Sequence, residues 1–242
     1  MTNILLEVCV EDAAGLQAAV DGGADRVELC SALSVGGLTP SPGLMALAGK
    51  VDIPVYAMIR PRPGDFVFDA GDMDVMRVEI EAARSAGLAG VVLGASRPDG
   101  SLDKEALKTL VDQAHGLGLT LHRAFDLVPD FAEAVEISVA LGFERILTSG
   151  GAKRALDGVD ALAAIVADAK DRISIMPGSG VTLETVGGLL CRLPVTEVHS
   201  SCSVEKPAQD ARLVSLGFIA PSAKQTDKQA VRALKARLTT AP

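Results

Sequence analysis

Short apolar runs of strand length alternate along this chain with longer stretches in which apolar residues return every three or four positions. The runs fall at 4–9, 25–30, 54–60, 90–94, 119–123, 144–148, 173–176 and 196–199. The stretches between them, at 12–21, 41–50, 72–86, 103–115, 130–141, 156–170 and 182–190, mostly open on an Asp, Ser or Thr. Side-chain oxygens of those residues cap the first free amides of a helix. Strict alternation of this kind predicts parallel strands joined by helical crossovers. Eight strands is the number that closes a TIM (β/α)8 barrel, typically of about 250 residues. One α/β domain spanning residues 1–242 is therefore expected, with the eight strands between residues 4 and 200.

Beyond the eighth run the pattern weakens. A polar stretch containing Pro207 and Pro221 leads to 227–238, where Val231, Leu234 and Leu238 form an apolar stripe. Residues 203–242 are thus expected to be a long loop followed by the eighth helix. The two halves of the chain also echo each other. Leu5-Leu-Glu-Val-Cys9 precedes a helix and Gly23-Ala-Asp-Arg-Val-Glu28, while Leu119-Thr-Leu-His-Arg123 precedes a helix and Gly142-Phe-Glu-Arg-Ile-Leu147. Four strands per half would produce such an echo.

Side chains alternate between the faces of a strand, so parity sorts each run. Ile4, Leu6 and Val8 share one face of the first run, which leaves Leu5, Glu7 and Cys9 on the other. Val27 and Leu29 oppose Arg26, Glu28 and Cys30, and Val55, Ala57 and Ile59 oppose Tyr56, Met58 and Arg60. In the fifth run Thr120 and His122 face inward, and in the eighth Glu197 and His199 do so. A barrel built only for stability fills its interior with branched apolar side chains. Here Glu7, Glu28, Arg60, His122 and His199 converge late in their strands. Charges inside a barrel are too costly to leave unpaired, so one reading has Glu7 and Glu28 simply neutralising Arg60 or Arg123.

The loops after the strands add polar groups at the same end. Arg60-Pro-Arg-Pro-Gly-Asp-Phe66 holds two arginines, Arg60 and Arg62, between prolines that restrict the backbone. Guanidinium groups fixed in this way suit a carboxylate, phosphate or polyol. Glycine-bearing turns follow runs six and seven, at Thr148-Ser-Gly-Gly151 and Met176-Pro-Gly-Ser-Gly180, and the eighth run ends in His199-Ser-Ser201. Backbone amides of Ser149, Gly150, Gly178, Gly180 and Ser200 are thus candidates for an anion cradle. Tight-turn geometry alone would also explain the glycines.

Composition narrows the classes. Hydrophobic residues make up 48% of the chain and aromatics only 3%, with no Trp, so Val, Ile, Leu and Ala must fill the core. A net charge of −8 and a pI near 4.9 leave no electrostatic footprint for nucleic acid or an anionic membrane. No apolar run approaches the roughly 18 residues of a membrane span, and the first ten residues carry Glu7 and no basic stretch, unlike a signal peptide. A soluble cytoplasmic protein is expected, with Cys9, Cys30, Cys191 and Cys202 as free thiols. A homodimer is expected from the commonest symmetry of oligomers.

Several motifs, in order, resemble those of the CutC copper-homeostasis family. They are Glu7-Val-Cys9, Gly22-Gly-Ala-Asp-Arg-Val-Glu-Leu-Cys30, Gly36-Gly-Leu-Thr-Pro-Ser41, Met58-Ile-Arg-Pro-Arg62 with Gly64-Asp-Phe66, His122-Arg-Ala-Phe-Asp126, Arg145-Ile-Leu-Thr-Ser-Gly150 and Met176-Pro-Gly178, spread over residues 4–203. The resemblance implies a TIM barrel, a cytoplasmic location and a role in copper trafficking or tolerance. One departure is His199-Ser-Ser-Cys-Ser203, where the family more often has His-Gly-Ser-Ala.

Three ligand chemistries follow. Copper(I) favours thiolates, and Cys9 and Cys30 end neighbouring strands with the same parity, so both sulfurs are candidates for one ion, with Met58 as a weak thioether. Glu7, Glu28, His122 and His199 offer a second donor set for a divalent cation, with Arg60 and Arg123 close enough to repel it. The third reading is an enzyme acting on a small anionic or polyhydroxy molecule, with Glu7 or Glu28 as general base, His122 as acid, Arg60 and Arg123 binding substrate, and Asp126 orienting Arg123 or His122. Isomerisation, aldol cleavage and hydrolysis are all open to it, but no Lys sits at a strand end, which argues against a Schiff-base aldolase.

Overall fold

A computed structural model describes residues 4–239. Residues 1–3 and 240–242, which the expected domain boundaries include, lie outside the described residues. Eight parallel strands form one sheet that curls into a nearly closed barrel. They are β1 (Leu5–Val10), β2 (Arg26–Leu29), β3 (Val55–Met58), β4 (Gly90–Leu93), β5 (Gly118–Leu121), β6 (Arg145–Thr148), β7 (Ser174–Pro177) and β8 (Glu197–Ser200). Their order is β7-β6-β5-β4-β3-β2-β1-β8, and the two edge strands lie against each other. The expected α/β barrel is therefore the observed fold.

The helices between the strands are α1 (Ala13–Gly22), α2 (Pro42–Ala48), α3 (Ala70–Ser85), α4 (Lys104–Gln113), α5 (Phe131–Ala140), α6 (Val159–Ala169) and α7 (Val186–Leu190). Asp12, Ser41, Asp103 and Asp130 each accept an amide of the first turn as N-caps, and Asp69 forms a reciprocal capping box with Asp72. That box starts α3 two residues before the 72–86 stretch. Between the strands and this ring lies the main core, including Leu6, Val8, Val27, Leu29, Ala57, Ile59, Leu121, Ile146 and Val198. Leu6, Val8, Val27, Leu29, Ala57 and Ile59 are among the outward-parity residues of the sequence pattern.

The stretch after β8 differs from the expected loop. β9 (Ser203–Pro207) and β10 (Ser222–Thr226) pair antiparallel, with the short helix α8 (Ala211–Ser215) between them. Both strands are mostly exposed, so neither carries the apolar alternation that marks a half-buried strand. The ribbon delivers α9 (Lys228–Thr239), whose Val231, Leu234 and Leu238 are buried against the barrel. Val231 lies where any side chain at Gly22 would clash, and Lys228 and Lys235 pair with Asp21 and Asp25. α9 is thus the eighth outer helix, beside α1. Among the described residues no helix is long and apolar enough to cross a membrane.

Candidate metal centre at the barrel mouth

Strand register decides which inward side chains meet. It sets Glu7 beside both Arg26 and His199, Cys9 beside Glu28, and Leu5 beside Glu197. Arg26 donates through Nε to Glu7 and through Nη2 to Glu197, the latter at 2.5 Å. Arg145 lies 3.4 Å from Glu197 and 3.0 Å from Glu144, and donates to Thr120 Oγ1 at 3.0 Å. Both guanidinium groups lie over the Tyr56 ring, 5.5 and 4.8 Å from its centroid. The counter-charge of Glu7 is therefore Arg26, not Arg60 or Arg123, because β2 presents Arg26 directly opposite Glu7. Burial alone would raise the Glu7 pKa, but Arg26 and His199 outweigh it and hold it at about 2. Glu7 is thus a fixed anion and a poor general base.

Toward the strand ends this balanced layer gives way to a group with spare bonding capacity. Cys9, Glu28 and His199 are all buried, and their ligand atoms lie within 4.8 Å of one another. His199 Nδ1 hydrogen-bonds Glu7 Oε1 at 2.8 Å, which turns Nε2 toward Glu28 Oε2 at 3.8 Å. Glu28 Oε1 is buried and has no hydrogen-bond partner. Burial raises the Glu28 pKa, and the Glu7 charge adds to this against the opposing pull of His199. For His199 burial acts downward, but Glu28 and Cys9 overcome it and hold the imidazole proton well above its ordinary range. A carboxylate behind the imidazole, Glu7–His199 here, is the arrangement that fixes ring orientation at metal-binding histidines.

Cys30 is outside this set. Cys9 is paired with Glu28, so Cys30 sits two residues further on, just past the end of β2. Its Sγ donates to Glu28 Oε2 at 3.5 Å and packs with Tyr56, Met58 and Val92. Gly37 presses so closely that a Cβ there would lie 3.1 Å from the sulfur. Burial first, then the charges of Glu28 and Cys9, push the Cys30 thiol well up. All four cysteines are free, as expected.

The other expected site residues are largely occupied by one another. β5 stops at Leu121, so Arg123 belongs to a 3-10 turn, Arg123–Leu127, for which His122 is the N-cap. Arg123 donates to Asp126 at 2.6 Å and to Ser149 Oγ at 2.7 Å. Asp126 also accepts from Thr148 Oγ1 and from the amides of Ser149 and Gly151, at 2.6, 3.0 and 3.1 Å. Two amides of the turn expected to cradle an external anion are thus turned to an internal one. Gly150 N donates to Thr148 Oγ1, Ser200 Oγ to Val181 O, and Gly180 packs on Arg154. Gly178 sits against Leu147 and His199, where a side chain would crowd the imidazole. Arg62 is held by Asp72 of α3 and, within its own loop, by Asp65 and Val67 O. His122, expected as an acid, is fully enclosed. Burial and then Arg60 pull its pKa to about 3, so it is neutral at physiological pH.

A model of the CutC family matches residues 4–204. The chain belongs to the CutC family. It is 66% identical over 238 residues to a family protein CutC of Sinorhizobium medicae, covering 98% of this chain and 97% of that one. A CutC of Caulobacter vibrioides is 56% identical over 240 residues, 97% of this chain and 98% of the relative. The crystal structure of a CutC protein from Streptococcus agalactiae superposes with a TM-score of 0.78 at 35% identity, over 82% of this chain and 98% of that one. An aldolase, QR15, shares the fold at a TM-score of 0.62 but only 16% identity, over 83% of this chain and 91% of its own. The family model covers the whole barrel and ends within β9.

Proposed function

We propose that the barrel mouth binds copper through Cys9 Sγ, His199 Nε2 and a Glu28 oxygen, and that copper handling is the role of this chain. The observation that carries the reading is the unpartnered, buried Glu28 Oε1 inside a group of sulfur, nitrogen and oxygen donors that all lie within 4.8 Å of one another. A buried acceptor without a donor costs about 1–3 kcal/mol, and a cation in this space removes that cost. Metal–ligand bonds of roughly 2.0–2.3 Å would require the three donors to draw in slightly, and the protons of His199 Nε2 and the Cys9 thiol would be released to solvent as the ion entered. Thiolate and imidazole are both ligands that copper takes, the thiolate favouring copper(I). The Arg26 charge nearby is balanced by Glu7 and Glu197, so it does not repel the ion as a free guanidinium would. A reducing compartment such as the cytoplasm fits the reading, because Cys9 must stay reduced to serve as a thiolate ligand.

Competition against a copper(I) chelator, repeated with copper(II) and zinc, tests this. Cys9→Ala is expected to weaken copper(I) binding by about 100-fold or more, since it removes the soft ligand, and His199→Ala by a similar amount. Wild-type affinity in both variants would end the proposal.

A further inference from the structure

On the other side of the mouth two buried donors have no acceptor. Arg60, just past β3, is 5% exposed. Its Nη1 donates to the carbonyls of Val35 and Gly37 at 2.9 and 3.1 Å, and its Nη2 to that of Gly64 at 2.8 Å. These are neutral groups, and among the described residues no carboxylate stands within ion-pair distance of Arg60. Arg26, Arg62, Arg123 and Arg145 each have one. Three of the five N–H groups of Arg60 are used, and its buried Nε has no partner. An unpaired guanidinium at this depth costs several kcal/mol.

His122, just past β5, is the second. It is 3% exposed, and its Nδ1 accepts from the Ala124 amide at 3.2 Å. The proton of the neutral ring must then sit on Nε2, and that atom is buried with no acceptor. Phe66 touches both groups, with its centroid 4.8 Å from the His122 ring and 4.9 Å from Arg60 Cζ. Between the strands carrying them, β4 continues to Gly94, where any side chain would collide with the imidazole. It then reaches Ser96, whose buried hydroxyl also lacks a partner. One cation and one neutral donor therefore both lie against Phe66, with no carboxylate paired to the cation and a glycine, Gly94, where a side chain would meet the imidazole.

We infer that Arg60 Nε–H and His122 Nε2–H, beneath Phe66, form a subsite for an oxyanion of a small molecule, a carboxylate or a phosphate. An oxyanion supplies the missing counter-charge and accepts both hydrogen bonds, which are strongest when one partner is charged. A neutral acceptor such as a sugar hydroxyl would leave the guanidinium uncompensated. The subsite stands beside the metal-binding group and does not depend on it. Gly37 stands between them, since its carbonyl accepts from Arg60 and a Cβ on it would lie 3.1 Å from the sulfur of Cys30, which in turn donates to Glu28.

Calorimetric titration of the full, chelator-treated chain with malonate and, separately, with inorganic phosphate tests this at low salt and neutral pH. One of the two is expected to bind saturably, and which one does so identifies the source of the oxyanion. His122→Met, which fills the space without an N–H, is expected to weaken that binding about 10-fold or more, as is Arg60→Gln. His122→Gln, which keeps a donor, should restore part of it, and Cys9→Ala should leave it unchanged, separating this subsite from copper binding. Should Arg60→Gln fail to fold because its three carbonyl contacts are lost, the His122 pair alone decides. Absence of saturable binding by either probe up to the order of 10 mM, or equal binding in wild type and His122→Met, overturns the inference.

Discussion

The β1–β2–β8 corner of the mouth and the β5–β6 corner hold the same kinds of residue in opposite states. At β5–β6, Asp126 accepts from Arg123, Thr148, Ser149 and Gly151, so both of its oxygens are used. At β1–β2–β8, Glu28 is equally enclosed and has one oxygen with no partner at all. Each is a carboxylate near a strand end, facing a polar neighbour. What separates structure from ligand chemistry here is spare bonding capacity at depth, since a saturated buried group fixes a turn whereas an unsaturated one needs something from outside.

If that contrast is correct, removing the saturated carboxylate should damage the fold and spare the proposed copper site. Asp126→Ala strands the amides of Ser149 and Gly151 and the Thr148 hydroxyl, and is expected to lower stability by about 3 kcal/mol in urea unfolding, with copper(I) affinity within about threefold of wild type. A larger loss of affinity than of stability would erase the distinction between the two corners.

The cost of an unsatisfied group can be read through pH. His122 takes a proton in the folded protein only at about pH 3, against 6.5 for an ordinary imidazole, because burial and then Arg60 oppose the charge. The unfolded chain therefore binds this proton first. The His122 contribution is intact above about pH 6.5 and is lost as pH falls toward 3. Glu7, held at about 2, adds its own acid loss only below its ordinary value of 4.5. Between about pH 6 and 4.5 the difference in stability between wild type and His122→Gln should thus shrink by about 2 kcal/mol, at 1.36 kcal/mol per pH unit. A difference that stays flat across that window would mean the imidazole is not held neutral.

A finer comparison sets Glu28 against its own amide. Glu28→Gln keeps the size and the contact from Cys30 but removes the charge, and should weaken copper(I) binding by about 10-fold while changing stability little. An unchanged affinity would reduce the site to Cys9 and His199.

Much of the fold is legible in the sequence. Alternating apolar runs and capped helical stretches specify a βα barrel because the barrel buries one face of every strand against a helix. Parity then placed Glu7, Glu28, His199, Arg26 and Glu197 inside, as found. Register was not legible, since it is set by strand stagger around the whole ring. Without it, the sequence points to Arg60 or Arg123 rather than Arg26 as the counter-charge of Glu7, and it pairs Cys9 with Cys30 without showing that Glu28 lies directly opposite Cys9. Saturation was also hidden, because the Asp126 hub depends on a turn that brings together residues more than twenty positions apart. The ribbon of β9 and β10 left no trace in the pattern, since a strand exposed on both faces has no reason to alternate.

Cys30 is where register makes its smallest and most discriminating claim. By parity alone Cys9 and Cys30 are equivalent, and losing either sulfur should harm copper(I) binding alike. The pairing of Cys9 with Glu28 puts Cys30 one pleat beyond the three donors, with its thiol pushed well up by burial and wedged against Gly37. A sulfur in that position keeps its proton and serves as packing, with a weak hydrogen bond to Glu28. Cys30→Ala is therefore expected to change copper(I) affinity by less than about threefold while costing about 1–2 kcal/mol of stability from the lost packing. The chelator competition that reads Cys9→Ala reads this variant on the same scale. Equal losses in the two variants would show that the strands present both sulfurs to one ion, and that the mouth rearranges around copper to bring Cys30 in.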